Sequence, residues 1–407
     1  MARFPTDVKV YRYTDQGAPQ LTGAAGSLVA LLKATLVDGY GSEVVTTMER
    51  SGQEVTVTIQ GGHAFPKYAV VEISGANETD YNGQHRIESV TSTTFTFTLP
   101  DGVTPASPAT GTISVKMAPA GWARPFASGD NLRAAFRPTP PEATGFYLYV
   151  DDTNAWTRRA GAKGYELMTD IDTRSVPFPY SEADDQWVWW YKSDDDAKAR
   201  PWALVADARM FYLWVNFNSN NGQRIYAFGD IVPLFSADQW CCVVQGHSSS
   251  SDNNYCGGMF TLTHAETTGV GGCVIHRNHI GTVVGRQLLP LWPFAPQRVV
   301  YNTHDLFPAA IGGVQNIPFP HPTNMGTLTA PVYMFESALG DQVVRGRLPG
   351  VVGPTHVIPY NDLEVIGTGG NQYIAFKVWA SRGAYSSTTS GPRQGQVLID
   401  IIGPWRE

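Results

Sequence analysis

Two kinds of hydrophobic pattern occur along this chain of 407 residues. In residues 22–41, Leu28, Leu31, Leu32, Thr35 and Leu36 share one helical face. Val29, Ala30, Ala34 and Val37 make the other faces apolar, and Lys33 is the only interior charge. The spacing predicts a helix of about 11 to 15 residues, buried nearly all round and too short to span a bilayer. Thr22 or Ser27 is the expected N-cap, and Gly39 and Gly41 stand past the last apolar turn as stops. An ordinary core helix satisfies this pattern, and so does a docking helix. Its mixture of Ala and Leu suits close packing against a sheet on one side and a second chain on the other. Leu28, Leu31, Leu32 and Leu36 are therefore the candidate assembly interface.

The rest of the chain alternates as strands do. Residues 7–13 place Val8 and Val10 on one face, and residues 43–49 are β-prone. From residue 51 to 117 the character changes to short alternating runs, among them Val55-Thr-Val-Thr-Ile, Ala69-Val-Val-Glu-Ile and Thr94-Phe-Thr-Phe-Thr-Leu. Gly61-Gly, Asn82-Gly and Pro100-Asp-Gly punctuate them, giving about five strands in about 65 residues, a small β-sandwich or barrel. Residues 187–217 are dense in aromatics, and Val332-Tyr-Met-Phe-Glu, residues 372–380 and residues 396–402 close the chain as strands. The expected fold is mainly β and multi-domain, built of β-sandwich or barrel units with one short N-terminal buried helix. Residues 1–50 and 118–407 make a main body, with the 51–117 module inserted between them.

Composition narrows the function classes. Charged residues are 16% of the chain, well under the usual quarter, so much of the surface is polar or apolar without being ionic, as where surface becomes interface. A net charge of -7 argues against wrapping nucleic acid or lying on an anionic membrane. No apolar run is long enough to span a membrane, and the start has no secretory pattern. The four cysteines are accordingly expected to stay reduced in a cytoplasm.

Several stretches carry a resemblance. Val10-Tyr-Arg-Tyr, Gly17-Ala-Pro-Gln-Leu-Thr-Gly-Ala-Ala-Gly-Ser-Leu and Leu36-Val-Asp-Gly-Tyr-Gly open the chain. Ala118-Pro-Ala-Gly-Trp, Gly164-Tyr-Glu-Leu-Met-Thr-Asp-Ile-Asp, Ala199-Arg-Pro-Trp, Arg345-Gly-Arg-Leu-Pro-Gly and Gly403-Pro-Trp follow. Together they resemble a family of virion structural proteins from tailed bacteriophages, including Mu-like phages. The inserted module, with Gly62-His-Ala-Phe and Asp80-Tyr-Asn-Gly, is similar to small β domains inserted in phage tail proteins. The resemblance implies a tail-tip, baseplate or adjoining tail-ring subunit in the virion, assembled in the host cytoplasm. Its partners would be copies of itself and other tail proteins. None of the motifs is catalytic. The alternatives are a receptor-binding protein holding a host surface glycan, and a neck or head–tail connector protein.

Candidate chemistry is sparse. Cys241, Cys242, His247, Cys256, Cys273, His276 and His279 are the one cluster of metal-ligand types. Cys273-x-x-His276 is a conceivable zinc half-site that Cys256 or His247 would complete. Cys241 and Cys242, being adjacent, point to opposite faces of a strand. No CxxC is present, so buried thiols are the expected reading, with no metal and no cofactor. Asp151-Asp152, Asp170 with Asp172, and the Asp194-Asp-Asp196 run lack the ligand alternation of a calcium loop and read as solvated turns. Asp184-Asp185 beside Trp187 is weak support for a glycosidase pair. Residues 248–251 and Gly269-Val-Gly-Gly lack the setting of a nucleophile elbow or a phosphate cradle. No catalytic residue is assigned.

Overall fold

The computed structural model describes residues 5–154, 158–179, 187–194, 196–218, 223–246, 272–291, 325–327, 329–337, 342–354, 360–379 and 394–406. The protein is mainly β, with several antiparallel sheets and one short helix near the N-terminus. A thirteen-stranded sheet starts with Lys9–Arg12, Trp202–Ala206, Met210–Asn216, Gln223–Asp230, Cys242–Gly246 and Gly272–Arg277. It continues through Val283–Leu291, Thr329–Ser337, Gln342–Pro354, Gln394–Asp400, Asn371–Trp379 and Val365–Thr368, with Val232–Pro233 paired at the side of Gln342–Pro354.

The middle of this sheet is apolar on both faces. Met210, Tyr212 and Trp214 join one core cluster with Ile225, Val243, Phe376 and Trp405. Phe211, Leu213 and Val215 join another, which also holds the helix and the neighbouring sheets. A strand covered on both sides needs no polar alternation, so this segment reads as a nearly continuous apolar run. The indoles of this sheet and of the one that covers it are core groups whose N–H finds a carbonyl: Trp190 Nε1 donates to Gln245 O at 2.7 Å, Trp202 Nε1 to Pro19 O at 3.0 Å and Trp214 Nε1 to Lys377 O at 3.1 Å.

A six-stranded sheet covers one face of the long one: Ala123–Ala127, Arg133–Arg137, Tyr147–Asp151, Arg159–Met168 and Arg174–Phe178, with Val188–Tyr191 also paired to Arg159–Met168. Leu148, Val150, Ala160, Ala162, Val188 and Trp190 point into the shared core. Tyr149 and Tyr165 lie on the other face, where the Arg174 guanidinium stands 4.2 Å from the Tyr149 ring centre.

The strands between residues 40 and 117 form a pair of four-stranded sheets. One holds Tyr40–Val44, Gly111–Met117, Val70–Ala76 and Gly83–Arg86, the other Thr47–Ser51, Glu54–Thr58, Thr94–Thr98 and Ser89–Val90. These sheets take in two strands upstream of residue 51, and the register pairs Tyr40 with Met117. Thr47–Ser51 falls largely in the residues 43–49 read as β-prone, while Gly41, Ser42 and Glu43 break the alternation of Tyr40–Val44. Val55, Val57, Phe95 and Phe97 sit in the same apolar cluster as the helix leucines. The buried Arg86 side chain fastens the module to the body, donating to the carbonyls of Pro5, Val8, Tyr68, Ile401 and Ile402 at 2.7 to 3.1 Å. Burial lowers its pKa to about 10, against the opposing pull of Asp400 and Asp7.

The helix runs Ser27–Lys33 and continues as a wider π-type turn over Ala34–Asp38. Neither expected cap residue caps it: Thr22 Oγ1 accepts from Ala24 N–H, and Ser27 Oγ donates to Thr22 O. The cap position is Gly26, at φ 77°, and the carboxylate comes from a distant strand end: Asp152 Oδ2 accepts from Leu28 N–H at 2.8 Å. At the other end Ala120 N–H donates to Thr35 O, and the N–H groups of Gly121 and Trp122 donate to Leu36 O. Gly39 provides the expected stop at φ 72°, where a Cβ would stand 2.3 Å from Met117 O. Leu28, Leu31, Leu32 and Leu36 are at most 1% exposed within this single chain. The proposed assembly interface is corrected on that ground: these side chains are taken up by the internal core and present no surface to a neighbour.

Candidate functional site

Two loops meet at one end of the long sheet, and their tips carry three of its most exposed large apolar side chains. The first joins Gln223–Asp230 to Cys242–Gly246 and carries Leu234 and Phe235, 53% and 67% exposed. The second joins Gly272–Arg277 to Val283–Leu291 and carries Ile280, 73% exposed. Local sequence shapes both. Asn278 Oδ1 accepts from the N–H groups of Ile280 and Thr282, and Gly281 takes φ +82° against the Trp240 ring. A Cβ at Gly281 would come within 3.0 Å of that ring, so glycine is what lets the loops pack. In the first loop Leu234 N–H donates to Arg345 O, Asp238 N–H to Phe235 O, and Trp240 N–H to Asp238 Oδ1.

Charged groups hold this tip from beneath. Arg345 is buried and donates to Asp238 Oδ2 through two nitrogens at 2.8 and 3.1 Å, to Glu336 Oε2 at 2.9 Å and to Arg277 O at 2.8 Å. Glu336 Oε2 also accepts from His279 N–H. The Arg277 guanidinium lies 5.4 Å from the Trp240 ring centre and donates to Gly281 O and to Glu166 Oε2. Glu166 therefore ties the six-stranded sheet to this end of the long one, and it also accepts from His276 Nε2 at 2.6 Å.

His276 is fully buried against the rings of Phe146 and Phe178. Burial lowers its pKa, and this outweighs the opposing pull of Glu166. Burial pushes the Glu166 carboxyl up, but hydrogen bonds from Arg277 and His276 outweigh that and hold it below the usual range.

The Cys273-x-x-His276 half-site does not form. Cys273 packs into the core on one face of the long sheet with Ile275, while His276, three positions on, faces Phe146 and Phe178 on the other. Alternation at a period of two makes this unavoidable in a strand. Cys241 and Cys242 likewise enter different clusters. Cys241, Cys242 and Cys273 are free and buried. Burial raises the pKa of all three, that of Cys241 to about 12. Among the described residues no group of three or more His, Cys, Asp or Glu could hold a metal ion. His247 and Cys256 lie outside the described residues, as do Asp184, Asp185, 248–251 and 269–271.

Of the acidic turns, Asp170 accepts from the N–H groups of Asp172 and Thr173, and Asp196 pairs with Arg200. Asp152 is the exception. It is 1% exposed and in contact with the Lys192 ammonium, which also donates to Ala24 O at 2.7 Å. It is a buried helix cap, not a solvated turn. No sequence signal marks Glu166, Arg277, Asp238, Glu336 and Arg345 as a group; Glu166 and Arg345 fall in motifs of the resemblance, but nothing there shows that they meet.

No family model matches the chain, and no curated protein matches it. Among solved structures it is similar to one titled "Phage phi92 endosialidase", at 12% identity and a TM-score of 0.17. The likeness covers 88% of this chain, which spans about half (51%) of that one. Among the described residues no helix is long and apolar enough to cross a membrane.

Proposed function

We propose that the chain is a structural subunit of a bacteriophage tail, at the tip, baseplate or an adjoining ring, acting by assembly with copies of itself and other tail proteins. The observation that carries this reading is the apolar tip formed by Leu234, Phe235 and Ile280 on its base of ion pairs. The sequence resemblance supports it independently. Fully burying such a side chain is worth roughly 1.5–3 kcal/mol, and these three start more than half exposed. Repeated by symmetry, a contact centred on them adds up around a ring. The charges beneath fix the loops before any partner arrives, which reduces the ordering cost of association. Assembly takes place in the host cytoplasm and the product stays in the virion.

The test replaces Phe235 and Ile280 together with Asp and follows incorporation into particles, with immunogold labelling of the wild-type chain to place it. A folded variant absent from particles is the expected outcome. Normal incorporation, or label found off the tail, ends the proposal.

A further inference from the structure

We infer that the loop between Arg133–Arg137 and Tyr147–Asp151 forms a binding site for a carboxylate-bearing, hydroxylated ligand of the size of one acidic sugar. Residues 138–141 and 143–145 of this loop line an open hollow of about 370 Å3 with Ala123 and Arg137. That lies at the lower end of small-molecule sites and suits a single pyranose ring.

The wall chemistry selects the ligand. Pro138, Pro140 and Pro141 have no N–H, so this part of the wall offers ring carbons and carbonyl oxygens, of which Pro140 O already accepts from Ala143 N–H at 3.1 Å. The hydroxyls nearby are engaged: Thr139 Oγ1 donates to Gly121 O at 2.6 Å, and Thr144 Oγ1 to Asp230 Oδ1 at 2.6 Å. Asp230 is buried, accepts also from Thr144 N–H, and is neutralised by Arg209. No carboxylate is among the lining residues, and Arg137 is the only charge there.

That charge is held in place. Arg137 stacks 5.1 Å from the Tyr147 ring centre, and its NH1 donates to Tyr147 Oη at 3.2 Å. Its NH2 occupies the space beside Gly145, 2.8 Å from where a Cβ would stand. Arg137 is exposed, so its remaining N–H donors are open to an anion. A wall that supplies acceptors and one forked cation is matched by a molecule with hydroxyl donors and one carboxylate, such as a uronic acid. This site is separate from the apolar tip, so it adds a recognition role to a chain proposed to act by assembly.

Titration of the full chain with D-glucuronate, D-glucuronamide and D-glucose, followed by saturation-transfer NMR and calorimetry, tests the inference. Glucuronate is expected to bind at least about tenfold more tightly than either neutral sugar. Arg137→Ala is expected to lose that margin, and Arg137→Lys to keep only part of it, since a point charge does not reproduce the fork. Thermal melts of both variants check folding, and R137A should enter particles normally, which separates this site from the assembly reading. Equal binding of the neutral sugars, absence of glucuronate binding, or glucuronate binding unchanged in folded R137A overturns the inference.

Discussion

Replacing Lys192 with Met tests how the helix is held. The Lys192 ammonium and the Asp152 carboxylate touch with side chains 0% exposed. Burial pushes the carboxyl up and the ammonium down, against their mutual attraction. Removing one partner of such a pair leaves the other charge buried and uncompensated, which costs about 3–5 kcal/mol. In K192M the Asp152 carboxylate keeps the Leu28 N–H but loses its cation, and Ala24 O keeps only the longer bond from Ser27 N–H at 3.3 Å. Asp152→Asn strands the ammonium instead, with a similar loss. The double variant strands neither charge, so it should be well above the sum of the single losses, with a coupling of about 2–3 kcal/mol. Urea unfolding of the four proteins, followed by tryptophan fluorescence, reads these differences from the midpoints and slopes. A K192M protein within about 1 kcal/mol of wild type, or an additive double variant, refutes the reasoning, because a solvated or unpaired arrangement gives those results.

Three further outcomes follow from the described geometry. Asp15 accepts from Arg12 N–H and Tyr40 Oη, and burial raises its pKa from 3.8 to about 6. A raised folded pKa makes its contribution to stability largest below about pH 4 and lost as pH rises through 6. The difference is about 3 kcal/mol at 1.36 kcal/mol per pKa unit. Asp15→Asn should flatten the stability difference between pH 4 and 7 by that amount, and an unchanged pH dependence counts against it. Gly164 pairs with Phe178, and a Cβ there would stand 2.2 Å from the ring. Gly164→Ala should therefore cost about 1–3 kcal/mol by overpacking, and a melting temperature equal to wild type contradicts the packing. Cys241, Cys242 and Cys273 should resist iodoacetamide in the native protein and react after denaturation, since their thiols are buried and their pKa values raised. Alkylated peptides containing them from native protein are the opposing result.

How much was legible in the sequence depended on how local the cause was. The alternation in Val55-Thr-Val-Thr-Ile marked a strand because side chains two apart share a face whatever the tertiary context. Gly39 marked the helix end because a positive φ is a property of one residue. The same period also condemned the Cys273–His276 pair, although spacing alone had suggested a half-site. What stayed hidden was non-local. Asp152 looked like one of several acidic turns, and nothing nearby shows that it caps a helix 124 positions away. Leu28, Leu31, Leu32 and Leu36 showed that they would be buried, but not by what; the chain's own sheets supply the cover. Glu166, Arg277 and Arg345 meet only because a strand of the six-stranded sheet lies over the end of the long one.

Both helix ends are finished by groups that come much later in the chain: Ala120, Gly121 and Trp122 at one end, Asp152 and Lys192 at the other. Among the described residues the strand Lys9–Arg12 pairs only with Trp202–Ala206. During synthesis residues 9–38 thus emerge before the groups that pair with their strand, cap their helix and cover their leucines, the last of which lie some two hundred positions on. The segment is thus made before it can be locked, which leaves a greasy stretch in need of shelter while the ribosome is still at work.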